Sequence, residues 1–184
     1  MLRENDDNIK IFQPKMKDSD EDLALLAQTT LAHRGNGNIE KAKKLGEIFA
    51  ALMPEDFCPD EVETLNNREL FHLRALIIFS ARLAFYNFLP HSVLSYSAIN
   101  SMYDSLEKNS NGFFINISNS SSFTFYAMSG YKTGEDAAAS LAKSYCMLCE
   151  KQGDEKLTQL ARSVYNDVIT CVVKAIEDLE FIKV

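Results

Sequence analysis

From Leu157 to Ile182 the apolar side chains return at three- and four-residue spacing, through Leu160, Ala161, Val164, Val168, Val172, Ala175, Ile176 and Leu179. That is one face of a helix held for about seven turns, and such a stripe must be buried against other elements. The rest of the chain supplies them in the same period. A helix is expected from Ser19, which with Asp22 resembles a capping box, to the stop signal Gly35-Asn36-Gly37. Asn38 is expected to cap a second helix reaching about Met53, with Ile39, Ala42, Leu45, Ile48, Phe49 and Leu52 as its apolar stripe. Pro54 and Pro59 bracket an acidic loop. A third helix, from about Asn67 to Leu89, is apolar almost all round, the mark of a helix that others pack around.

Pro90 ends that helix, and a fourth follows with Val93, Tyr96, Ile99, Met102, Tyr103 and Leu106 inward. After the serine-rich middle, Thr133 heads a helix with Glu135 and Asp136 in its first turn, running to Gly153. The expected fold is therefore all-α: a single-domain helical bundle of six or seven helices over residues 18–184, preceded by a polar, flexible arm at 1–17.

The middle of the chain leaves one choice open. From Leu83 to Tyr131 the only charged residues are Asp104, Glu107 and Lys108, and from Asn109 onward there are none. Phe-Ile-Asn-Ile and Phe-Thr-Phe-Tyr, either side of a serine cluster, alternate weakly as a short β-hairpin near 113–127 would. The competing reading, and the favoured one, is two short helices, the second capped by a serine among Ser120, Ser121 and Ser122. A segment so poor in charge is either core filler, a protein interface, or the wall of a small-molecule pocket. As an interface it would present Phe113, Phe114, Phe123, Phe125 and Tyr126.

The charge balance narrows the partners. With 19 Lys and Arg against 26 Asp and Glu, the net charge is −7 and the pI about 5.0, which repels nucleic acid and anionic lipid. The one lysine cluster, Lys41, Lys43 and Lys44, is flanked by Glu40 and Glu47. The most apolar run, Ala75 to Leu89, holds Arg82 and is shorter than the ~20 residues a membrane span needs. A soluble, cytoplasmic protein is expected, with Cys58, Cys146, Cys149 and Cys171 reduced.

No complete catalytic, nucleotide or metal motif is present. Cys146 and Cys149 form a C-x-x-C, but near the C-terminal end of their helix, where the dipole does not activate a thiol. Cys171 would lie about 16 Å farther along the next helix. Glu69 and His72 make one E-x-x-H, half of a di-iron set, with no second copy. Asn166, Asp167 and Thr170 resemble the opening of the second magnesium motif of class I terpene synthases, yet Lys174 stands where that motif needs an acid. No cofactor and no metal is expected.

Arg74 and Arg82 flank the packing stripe of the third helix, about 80° apart at 100° per residue. Each must meet a carboxylate such as Asp104, Asp136 or Asp167, reach water, or meet an anionic ligand. Any ligand site is expected near Arg74 or Arg82, with Tyr96, Tyr103 or Tyr126. The first expectation for function is a non-enzymatic interaction module that self-associates, or binds a protein partner, through the charge-poor surface of 83–131. The alternative is a binder or enzyme for a small, anionic ligand.

Overall fold

The computed structural model describes residues 20–52, 64–110, 112–130 and 135–184, and among these the chain is helical throughout, with no strand. Eight helices follow one another among the described residues: α1 Asp20–Gly35, α2 Asn38–Leu52, α3 Asn67–Phe88, α4 Ser92–Asn109, α5 Phe113–Ser118, α6 Ser122–Gly130, α7 Glu135–Leu148 and α8 Glu155–Asp178. The expected arm at 1–17, the Ser19 cap, the acidic loop with Cys58 and the Thr133 cap lie outside the described residues. No described helix is long and apolar enough to cross a membrane.

Helix α3 is the centre. Asn66 starts it by accepting from the amides of Arg68 and Glu69, while the Glu69 carboxylate accepts from the Asn66 amide at 2.9 Å, a complete capping box. Its last turn stops at Leu89, which is extended ahead of Pro90. Between these ends Leu73, Leu76, Ile77, Ile78 and Phe85 are fully buried, each contributing about 1.5–3 kcal/mol of burial. Helices α4, α6, α7 and α8 all pack on it.

The α7–α8 hairpin turns at Gly153, whose φ of 86° suits glycine. Asp154 then caps α8 through the Leu157 amide at 3.1 Å. The stripe from Leu157 to Val172 is buried as its period requires. The helix stops at Asp178, however, so Leu179 and Ile182 lie past its end. The chain beyond is held by a side chain instead: Asn38 Oδ1 accepts from the Ile182 amide at 3.0 Å, and Asn38 Nδ2 donates to the Ile182 carbonyl at 2.7 Å. Asn38 is thus a buried clasp for the C-terminal segment and not the cap of α2.

Two short helices occupy the serine-rich middle, and no hairpin forms among the described residues there. Phe114 and Ile117, three apart, are the buried pair of α5, while Ile115 and Asn116 face outward. The true period is helical. Serines close the helix ends: Ser110 Oγ accepts from the Phe114 amide at 3.0 Å, and Ser120 Oγ from the Ser122 amide at 3.3 Å.

Helix α4 differs from expectation in its rotation. Its most extensive packing is with α2, where Gly46 meets the α4 backbone so closely that a Cβ would lie 2.8 Å from the Met102 nitrogen and closer still to the Ala98 carbonyl oxygen. Ala98 and Met102 meet α2 at that contact, and Ser95 is buried on α4 with them. Tyr96, expected inward, is 54% exposed, because small residues form the seam and the tyrosine is carried to its flank.

Candidate ligand cleft between α3 and α4

Helix α4 packs more extensively on α2 than on α3, and the α3–α4 hairpin leaves space between its two helices. The result is a cleft of about 440 Å³. Two stripes of identical spacing line it: Phe79, Arg82, Leu83 and Tyr86 on α3, and Tyr96, Ile99, Asn100 and Tyr103 on α4, with Ala127 of α6 closing one end. Positions i, i+3, i+4 and i+7 share one helix face, so each helix presents one continuous wall. Ring contacts fix the pairing at both ends. Tyr86 and Tyr96 meet edge to face at 6.2 Å, while Phe79 and Tyr103 each touch the Phe123 ring, at 6.3 and 6.5 Å. The helical period of an antiparallel pair then sets Leu83 opposite Ile99 and Arg82 opposite Asn100.

Three of the five residues expected near a ligand therefore share this cleft: Arg82, Tyr96 and Tyr103. The Tyr103 hydroxyl is buried and donates to no acceptor among the described residues, while the Arg82 guanidinium lies close enough to act on it as a donor. Burial pushes its phenol pKa up, and the nearby Arg82 guanidinium opposes that rise. Arg82 is exposed and makes no ion pair among the described residues, where the salt bridges join Lys43 to Glu40 and Arg68 to Glu150, both at 2.8 Å. Asp104 and Asp167 do not hold it; Asp167 accepts from Ser163 Oγ at 3.3 Å.

The other two lie elsewhere. Tyr126 is fully buried, donates to the His72 carbonyl at 3.0 Å and packs 5.8 Å from the Phe79 ring, so it backs the cleft wall without lining it. Arg74 spreads over the Phe113 ring at 4.8 Å, a cation–π contact in place of a carboxylate or ligand. Of the aromatics considered for an interface, Phe114 and Tyr126 are buried, and Phe113 and Phe123 are half-buried against the core. Only Phe125, at 39%, is substantially exposed.

The remaining candidate motifs are spent on structure. Glu69 caps α3, and His72 Nδ1 meets Ser122 Oγ at 3.1 Å. That last pair has the composition of a base and a nucleophile, but Ser122 is fully buried. Cys146 meets Thr158 Oγ1 at 3.3 Å, and burial pushes the Cys149 thiol up to about 12, which keeps it a thiol at neutral pH. Thr170 bonds back to the Asn166 carbonyl at 2.8 Å on an exposed face of α8. Lys43 is held by Glu40, and Lys41 donates to the Glu180 carbonyl at 2.8 Å. Among the described residues no three His, Cys, Asp or Glu side chains are grouped to hold a metal.

Sequence reasoning missed Phe79, Leu83, Tyr86, Ile99 and Asn100. The available signal was the matched spacing on either side of Pro90. No protein-family model, curated protein or solved structure compared with the chain matches it.

Proposed function

We propose that the protein is a non-enzymatic binding protein that takes a small organic molecule into the α3–α4 cleft. The observation that carries this reading is the Tyr103 hydroxyl, a buried donor without an acceptor, set among aromatic walls. Ligand sites combine an apolar lining with a few uncommitted polar groups, and an unmet buried donor costs stability unless something bound satisfies it. Among the described residues no His, Cys, Ser, Asp or Glu lines the cleft, and a wall of aromatic, aliphatic and amide side chains with one arginine favours binding over catalysis. A cytoplasmic setting, where the buried Cys146 and Cys149 stay reduced, fits the reading. The test is a titration of the labelled protein with small aromatic fragments, followed by amide NMR shifts. Shifts should cluster on residues 79–86 and 96–103, and Ala127→Phe, which fills one end, should cancel them. Shifts scattered over the surface, or unaffected by that substitution, would remove the cleft as the site.

A second reading is self-association through the charge-poor segment, supported by the exposure of Ile115, Phe125 and Met128, the last at 77%. Native mass spectrometry tests it. The expected species is a homodimer that Met128→Glu converts to a monomer, and a wild-type monomer at micromolar concentration would count against it.

A further inference from the structure

We propose that the occupant of the α3–α4 cleft is a planar aromatic monocarboxylate, its carboxylate held jointly by the Arg82 guanidinium and the Tyr103 hydroxyl. This rests on the cleft being a ligand site and goes further, to the chemistry of the ligand. Among the described residues Arg82 is the only charged one of the lining, so the cleft compensates one negative charge. A phosphate monoester would bring nearly two, and phosphate sites draw on free backbone N–H groups at helix N-termini. Both cleft walls are mid-helix, where the backbone N–H groups are already bonded within α3 and α4.

A carboxylate matches the donors present. Its two oxygens can take two parallel N–H bonds from a guanidinium and still offer a lone pair to a phenol O–H. Arg82 and Tyr103 are offset by only about 5 Å along the helix axes in the paired register, and the Arg82 guanidinium is close enough to act on the Tyr103 phenol, so one acid group can reach both. Asn100, opposite Arg82, adds an amide that can donate to the same group. The walls set the shape of the remainder. Tyr86 with Tyr96 at one end and Phe79 with Tyr103 at the other suit a flat ring system, and a rigid body loses less conformational entropy on binding than a flexible alkyl chain.

The experiment is isothermal titration of the native protein with three matched probes: 2-naphthoate, 2-naphthamide and 2-naphthyl phosphate. The carboxylate should bind at least tenfold more tightly than either of the others. Arg82→Gln, at an exposed position where folding is safe, should weaken 2-naphthoate about tenfold and leave 2-naphthamide unchanged. Tyr103→Phe should weaken 2-naphthoate severalfold. Equal affinity for acid and amide, with no effect of Arg82→Gln, would overturn the acid assignment while leaving the cleft as a site. Tighter binding of the phosphate would overturn it in favour of a dianion. Binding of none of the three would remove both the acid assignment and the cleft reading.

Discussion

If the cleft binds a ligand as proposed, Tyr103 is the residue on which stability and binding pull in opposite directions. Its ring packs against Phe114 at 5.2 Å and Phe123 at 6.5 Å, so the aromatic body is anchored whether or not the cleft is filled. Its hydroxyl donates to no acceptor among the described residues, and an unmet buried donor costs about 1–3 kcal/mol. Replacing Tyr103 with Phe keeps the ring and removes that cost. The ligand-free variant should therefore be more stable than the parent by on the order of 1 kcal/mol, a rise in melting temperature of roughly 2–4 °C for a chain of this size. Thermal melting without added ligand measures it directly. A lower melting temperature would mean that the hydroxyl is satisfied in solution, and the main support for a ligand there would be lost.

At the scale of helices, the cleft exists because α2 and α4 approach closely, and Gly46 permits that approach. Alanine is ordinarily favoured over glycine inside a helix by about 1 kcal/mol. Here the added carbon would press on the Ala98 carbonyl and the Met102 amide of α4, backbone atoms that cannot rotate away. Overpacking of this kind costs about 1–3 kcal/mol, so Gly46→Ala should lower stability in a urea titration, and a gain would show that the two helices are less tightly apposed. The same contact explains which parts of the structure were legible beforehand. Helices α2, α3 and α8 could be read because bulky apolar residues define their buried faces, as Leu45, Phe49, Leu76 and Val168 do. In α4 the buried seam includes Ser95 and Ala98, which carry little hydrophobic signal, so Tyr96 was expected inward in their place. Arg82, Tyr96 and Tyr103 were legible as candidates through charge and aromatic type. Their assembly into one cleft was not, since it depends on the rotation of α4 that a glycine on a different helix imposes. That Tyr126 and Arg74 do not line the cleft was illegible for a related reason: residue type does not reveal that a phenol will find the His72 carbonyl, or that a guanidinium will settle on a ring.

Over the whole molecule, the start of α2 is joined to the C-terminal segment through a buried amide, and that junction is expected to respond to pH. Asn38 uses its oxygen on the Ile182 amide and one N–H on the Ile182 carbonyl, which fixes the orientation of the side chain. Its second N–H then points at His33 Nδ1, 3.0 Å away, and that nitrogen must carry a lone pair, leaving the neutral ring's proton on Nε2. Protonating Nδ1 would set two donors against each other. Burial, and then the neighbouring His91 with its ring centre 5.2 Å distant, hold the His33 pKa below its ordinary 6.5. Burial and then the charge of Arg68 lower His72 in the same direction. A histidine whose folded pKa is depressed contributes stability fully above the unfolded pKa, because the folded and unfolded chains are then equally deprotonated. As pH falls below about 6.5, the unfolded chain takes up protons that the folded chain refuses, and stability declines. Denaturation at pH 7.5 and 5.5 should show this loss, and His33→Asn, whose amide oxygen can accept where Nδ1 did but does not titrate, should reduce it and leave the His72 contribution. The local consequence is separable from the global one. Hydrogen-exchange protection of the Ile182 amide should drop on acidification while that of α3 amides is retained, and His33→Asn should restore it. If Ile182 keeps full protection at pH 5.5, the clasp does not depend on His33, and the loss of global stability must come from His72 and the other titrating groups.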